Sequence, residues 1–278
     1  MACGLIACGL LGACSSEKEA PRPIRMATTT STANTGLLDY LFEAFQHETG
    51  TEVQFVAVGT GKALKHGENG DVDIVMVHAP KAEKDFVARG CGIERVPVMW
   101  NDFVVLGPGE DPAEVRTSGD VTEVFRRIDG GARPFISRGD DSGTHKKERL
   151  IWKAAGVQPE GRWYIEAGQG MDACLMMADE KRGYVLCDRG SYLARRSNLE
   201  LEVLFAGDSL LANPYALIAV APERYPDLNT AGAQHLIEWM TSPRGQALIA
   251  AFRVEDEVLF HPVSETGSDP DGVGPAGP

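Results

Sequence analysis

Apolar side chains at Leu37, Leu38, Leu41, Phe42 and Phe45 recur at the spacing that turns one face of an α-helix toward a core, so a helix is expected over residues 36–47. Residues 51–58 (TEVQFVAV) alternate instead, as a half-buried strand does, and end in Gly59-Thr60-Gly61-Lys62, where another helix is expected to start. The same reading predicts strands or extended chain over 23–27, 73–77, 96–106, 134–136, 183–186 and 213–220. Helices are predicted over 81–88, 121–127, 145–155, 171–180, 231–241 and 243–252. Strands that alternate with helices imply a mostly parallel α/β sheet. Gly107-Pro108-Gly109 divides the pattern into two series of similar content with no repeat between them. From Ser264 onward the chain is rich in Gly, Pro and Asp and poor in apolar residues, so 264–278 is expected to be a disordered tail.

The N-terminus departs from this pattern. MACGLIACGLLGAC is apolar, too short to cross a bilayer, and followed at once by a charged, proline-containing segment, which reads as a signal peptide over 1–13 and a linker over 14–24. Leu11-Gly12-Ala13-Cys14 resembles a bacterial lipobox, although no Lys or Arg precedes it, and Cys14 is then the residue expected to carry lipid. Export to the periplasm or cell surface, with a membrane anchor at Cys14, follows. Cys91, Cys174 and Cys187 remain, with no C-x-x-C spacing, so no zinc or redox motif is predicted; one disulfide or three buried thiols are both open.

The 278 residues carry 27 Lys+Arg against 40 Asp+Glu, a formal charge of −13 that residues 1–13, having no charged side chain, do not alter. Such a field repels phosphate backbones, which argues against nucleic acid as a partner. It leaves room for a small anion in a local pocket, and two loops suit one. Thr28-Thr29-Thr30-Ser31 and Ser137-Arg138-Gly139-Asp140-Asp141-Ser142-Gly143-Thr144 each follow a predicted strand and open a helix. The first amides of a helix have no intrahelical acceptor and sit at the positive end of its dipole; hydroxyls add donors, Gly143 permits close approach, and Arg138 supplies a charged fork. Gly59 and Thr60 offer a third set of donors. Helix capping explains any one such loop, but two rich in hydroxyls favour a site.

Other chemistries fit less well. A phosphate-binding Walker loop needs Gly where Val56 stands and Ser or Thr where Ala63 stands, and the dinucleotide pattern fails at Leu64. Ser142, His145, Asp140 and Asp141 collect the residue types of a Ser/His hydrolase, but no G-x-S-x-G elbow is present and the base would sit on the opening turn after the nucleophile. No enzyme is expected. His78, His145 and His261 form no i, i+4 pair, so neither a metal site nor a cofactor is expected.

TTTS with GLLDYLFEAF after it, VGTGKAL (58–64), DIVMVHAPKAEKDFV (73–87), NDFVVLGP (101–108), SRGDDSGTHKKE (137–148) and DRGSYL (188–193) together resemble the tungstate-binding components of bacterial ABC importers, and more distantly phosphate-binding proteins. The resemblance spans most of residues 25–263. It implies a periplasmic-binding-protein-like α/β fold of type II, with two lobes joined by crossing strands and the ligand between them. One lobe would hold 25–106 plus 212–263 and the other 107–211. It further implies ligand contacts from Thr29, Thr30, Ser31, Gly59 and Thr60 on the first lobe and Arg138, Ser142, Gly143 and Thr144 on the second, an oxyanion such as tungstate or molybdate as cargo, a membrane permease as partner, and a monomer. Tungstate, molybdate and sulfate carry no proton near pH 7 and need only donors, whereas hydrogen phosphate also needs an acceptor. Asp140 and Asp141 stand where they could accept that proton or pair with Arg138, so phosphate remains as an alternative to tungstate, as does molybdate, which is nearly isosteric with it.

Overall fold

The computed structural model describes residues 21–131, 133–254 and 256–263. The expected signal peptide, Cys14, most of the linker and the expected tail lie outside the described residues. The first series comprises β1 (Ile24–Thr29), α1 (Thr30–Ala33), α2 (Leu37–Thr49), β2 (Val53–Val58), α3 (Thr60–Asn69), β3 (Ile74–Val77) and α4 (Pro80–Ala88). A long strand, β4 (Val96–Pro108), leads to α5 (Val121–Asp129), β5 (Phe135–Ser137), α6 (Gly143–Ala155), β6 (Tyr164–Glu166), α7 (Met171–Lys181), β7 (Tyr184–Asp188), α8 (Arg189–Leu193) and β8 (Leu201–Phe205). The chain returns through β9 (Ala212–Ala219) and closes with α9 (Thr230–Thr241), α10 (Pro243–Ala251) and three two-residue strands, β10 (Arg253–Val254), β11 (Glu257–Val258) and β12 (His261–Pro262).

One sheet runs in the order β2-β1-β3-β9-β4-β7-β5-β6, with β8 and β12 also paired to β4. The expectation of a mostly parallel sheet needs correction. Parallel pairing joins β1 to β2 and β3, and β5 to β6 and β7, while every pair involving β4 or β9 is antiparallel. The reason is topological: β4 carries the chain out of the first α/β series and β9 carries it back, so they must run against each other. Residues 96–102 of β4 pair with β9, and residues 103–106 pair with β7, so the strand changes partner between Asp102 and Phe103.

Local chemistry sets the elements. Asp120 caps α5 by accepting the Glu123 N–H at 2.8 Å, and Val121, Val124, Phe125 and Ile128 then bury one face. On that face Trp152 packs edge-on against Phe125 and Phe135, ring centroids 4.4 and 5.2 Å away, each burial contributing about 1.5–3 kcal/mol. A second core, under α2, α7, α9 and α10, lies on one face of the sheet and continues from one series to the other. β1 runs two residues past its predicted end because it has a partner on each side: Thr28 pairs with Ala57 and Met76, and Thr29 with Val58. Among the described residues no helix is long and apolar enough to cross a membrane, and Cys91, Cys174 and Cys187 are buried free thiols.

Candidate functional site

Parallel register decides which loops are neighbours. Because Thr29 pairs with Val58, and Thr28 with Met76, the chain leaves β1, β2 and β3 at one level, placing Thr30, Gly59 and His78 along the same sheet end. Thr29 ends β1 and precedes α1 in extended conformation; its hydroxyl is shared with Thr32 Oγ1 at 2.7 Å and Ser31 Oγ at 3.3 Å, and Thr30 is exposed. Gly59 precedes α3 without a side-chain cap, and the first intrahelical bond runs from Ala63 N–H to Gly59 O at 3.0 Å. The amides of Thr60, Gly61 and Lys62 are therefore unused by the helix.

The second loop is more tightly built. Arg138 donates Nε–H (3.1 Å) and Nη2–H (2.5 Å) to Asp140 Oδ2, while Asp140 Oδ1 accepts the Ser142 N–H at 3.1 Å. Burial disfavours the ionised Asp140, but hydrogen bonds from the Ser142 hydroxyl, Arg138 and the Ser142 amide outweigh it and hold the carboxyl below its ordinary range. Asp141, at φ 57°, turns outward to Lys146 at 3.2 Å. Ser142 Oγ caps α6 by accepting the His145 N–H at 3.3 Å, and His145 Nδ1 accepts the Asp141 N–H at 3.0 Å. Ser142 Oγ and His145 Nδ1 thus accept from the helix cap and the loop backbone, not from each other. Gly143 and Thr144 are the first helical residues, ahead of the first backbone bond, Lys146 N–H to Ser142 O at 2.9 Å.

These two ends face each other. A Cβ built on Gly143 would stand 3.2 Å from His78 Cε1 and 3.7 Å from Thr60 Oγ1, so the start of α6 reaches across to the starts of α3 and α4. Behind them runs a buried polar network. Asn213 Nδ2 donates to Asn101 Oδ1 (2.7 Å) and Tyr215 Oη (3.1 Å), which leaves its Oδ1 to accept from His78 Nδ1 at 2.9 Å. His78 stacks on Tyr215 at 4.8 Å, and burial holds its pKa below the ordinary value, so the ring is neutral with its proton on Nδ1. Tyr215 in turn bonds Thr32, which shares its hydroxyl with Thr29. The first segment is thus hydrogen-bonded into this network, and Gly143 lies against its His78 and against Thr60. On the opposite face of β4, where Trp100 and Asp102 alternate with Asn101 and Phe103, a separate cavity of about 450 Å³ is lined by Trp100, Asp102, Arg189, Asp208 and His261.

Residues 15–244 match the family model of the PBP superfamily domain. The chain is 44% identical over 241 residues to a tungstate-binding protein TupA from Peptoclostridium acidaminophilum, covering 86% of this chain and 84% of the relative. The chain belongs to the TupA family. Solved structures agree: a tungstate-binding TupA from Desulfovibrio alaskensis G20 superposes with a TM-score of 0.81 at 44% identity, covering 87% of this chain and 99% of that one. A tungstate ABC transporter structure from Geobacter sulfurreducens gives 0.78 at 46% identity, covering 84% of this chain and all of that one (100%). The periplasmic-binding-protein-like α/β fold expected from the sequence is the fold observed.

In this TupA-family chain α6 does more than present amides. Lys147 is half-buried, donates Nζ–H to Leu210 O (3.0 Å) and Ala212 O (2.8 Å), and lies over the Phe103 ring at 5.7 Å, tying the helix to both crossing strands. Burial without a carboxylate partner pushes its pKa down to about 8. Where β4 changes partner, Arg189 and Asp102 form a two-pronged pair at 2.7 and 2.6 Å. Sequence reasoning weighed His78 only as a metal ligand and within a family-like segment, and passed over Asn101, Asn213, Tyr215 and Thr32. The available signal was a polar residue inside an otherwise apolar strand, as Asn101 is in VPVMWNDFVVL and Asn213 in NPYALIAV.

Proposed function

We propose that this protein is the solute-binding component of an ABC importer and captures tungstate between two lobes, 25–106 with 212–263 and 107–211. In this reading Thr29, Thr30, Ser31, Gly59 and Thr60 donate from one side and Arg138, Ser142, Gly143 and Thr144 from the other. Closure assembles the site, and a membrane permease receives the anion. Lipid on Cys14 holds the exported monomer at the membrane, and the protein binds rather than transforms its ligand.

The observation that carries the reading is the approach of Gly143 to Thr60 and His78, which sets the start of α6 against the uncapped start of α3. A second observation favours an unprotonated oxyanion over hydrogen phosphate. Both oxygens of Asp140 are occupied by Arg138 and the Ser142 amide, and Asp141 points outward to Lys146, so neither carboxylate is turned to accept a ligand proton. The names of the relatives supply tungstate as the choice among such anions. Calorimetric titration of the mature protein with tungstate, molybdate, sulfate and phosphate tests this. Tight binding of tungstate and none of phosphate is expected; the reverse overturns the reading.

A further inference from the structure

We propose that Glu148 is a positioning residue of the anion site that takes up a proton from solvent as the oxyanion binds, so that affinity rises as pH falls. The inference rests on the site assignment above. Glu148 lies one helical turn after Thr144 on α6 and is 1% exposed. Its Oε1 accepts Tyr164 Oη–H at 2.7 Å and Trp152 Nε1–H at 3.2 Å. The Tyr164 hydroxyl is also 3.1 Å from Ser137 Oγ, which accepts the Gly139 N–H at 3.3 Å. Two hydroxyls thus chain the carboxyl to the backbone of the loop that carries Arg138 and Ser142.

Among the described residues no cation is paired with it. β6 contributes Tyr164 and a second carboxylate, Glu166; α7 contributes the thiol of Cys174; the loop contributes Arg138, already paired with Asp140. β7 contributes Tyr184, whose hydroxyl serves the Ala113 amide, and α5 turns Val124, Phe125 and Ile128 inward. On α6 itself Lys147 is spent on two carbonyls and His145 on the Asp141 amide. Burial pushes the Glu148 carboxyl up to about 7, against the hydrogen bonds from Tyr164, Ser137 and Trp152, and Glu166 adds to the rise. A dianion at the start of the same helix repels the ionised carboxylate through a poorly screened interior and raises it further. Free protein near neutral pH holds Glu148 partly ionised and the complex holds it protonated; the difference is drawn from solvent. A protonated carboxyl still accepts from Tyr164 and Trp152, so the loop keeps its support.

His78 and Lys147 would also be drawn toward protonation by a bound dianion, so the test isolates Glu148. Sodium tungstate is titrated into the wild-type protein and Glu148→Gln at about pH 6 and about pH 8.5, in buffers of different ionisation enthalpy that report proton uptake. Wild-type affinity is expected to be at least ~3-fold weaker at the higher pH, with net proton uptake near neutrality. Glu148→Gln should hold the low-pH affinity at both values and lose most of the uptake, while Glu148→Asp keeps the pH dependence. Binding by the wild-type protein without proton uptake overturns the inference and leaves the tungstate assignment standing, with no variant needed. A pH profile unchanged in Glu148→Gln, or weakening of that variant by the same factor at both pH values, also overturns it. Absence of tungstate binding by the wild-type protein overturns both.

Discussion

Arg138 spends both arms of its fork on one oxygen of Asp140, which leaves the guanidinium fixed in direction with donors to spare. A charge held in place by its own loop loses little further freedom on meeting a ligand. Arg138→Ala should therefore weaken tungstate binding by about 2–3 kcal/mol, roughly 30- to 150-fold in Kd, measured by calorimetry. Arg138→Lys should recover only part of this, because an ammonium cannot serve Asp140 and a ligand with the same planar geometry. An unchanged Kd in Arg138→Ala would place the side chain outside the site. The same loop shows why residue type alone misleads: Ser142, His145 and an aspartate look like a nucleophile set in sequence, yet Ser142 Oγ is a helix cap and His145 Nδ1 accepts a backbone amide.

At the level of elements, the proposed site draws on three helix starts, those of α1, α3 and α6, with β4 and β9 behind them. α6 is held from behind by Lys147 on the carbonyls that open β9, and from the front by the approach of Gly143 to His78 and Thr60. Space at Gly143 is then what lets the two sides meet. Gly143→Ala adds a methyl group 3.2 Å from His78 Cε1, a tight contact at a residue that is not in the left-handed region. Its expected effect is a loss of tungstate affinity of about 1–2 kcal/mol through impeded closure, with the thermal unfolding midpoint nearly unchanged. A large drop in that midpoint with unaltered affinity would show that the contact serves folding instead.

At the scale of the whole molecule the net charge of −13 works against the ligand at long range while the donors work for it at contact. The two effects separate by salt. Raising ionic strength from about 0.01 M to about 0.15 M shortens the Debye length from about 30 to about 8 Å, so stopped-flow association of tungstate should become faster. A rate that falls with salt would reveal a positive local field at the cleft that dominates capture. The antiparallel pairs of β4 and β9 are the other whole-molecule feature, since they carry one chain from the first α/β series to the second and back.

Amphipathic spacing alone located α2, α4, α5, α6, α7, α9 and α10 to within a few residues, because a helix face is a local property of the chain. Hydroxyl content marked the loops after β1 and β5, and the excess of carboxylates excluded polyanions. β6, β8 and β12 were not legible, since they exist only through distant partners, and the β10–β11 hairpin is too short, at two residues a strand, to leave a periodic pattern. The mixed sheet was missed for the same reason: direction of pairing depends on where the chain turns back. So was the network of His78, Asn213 and Asn101, whose hydrogen bonds join residues 135 and 112 positions apart. Sequence determined which segments could donate to an anion. Only tertiary structure decided that Gly143 faces Thr60 and that Glu148 is buried against a phenol and an indole, because burial and proximity are properties of the folded chain and not of any one segment.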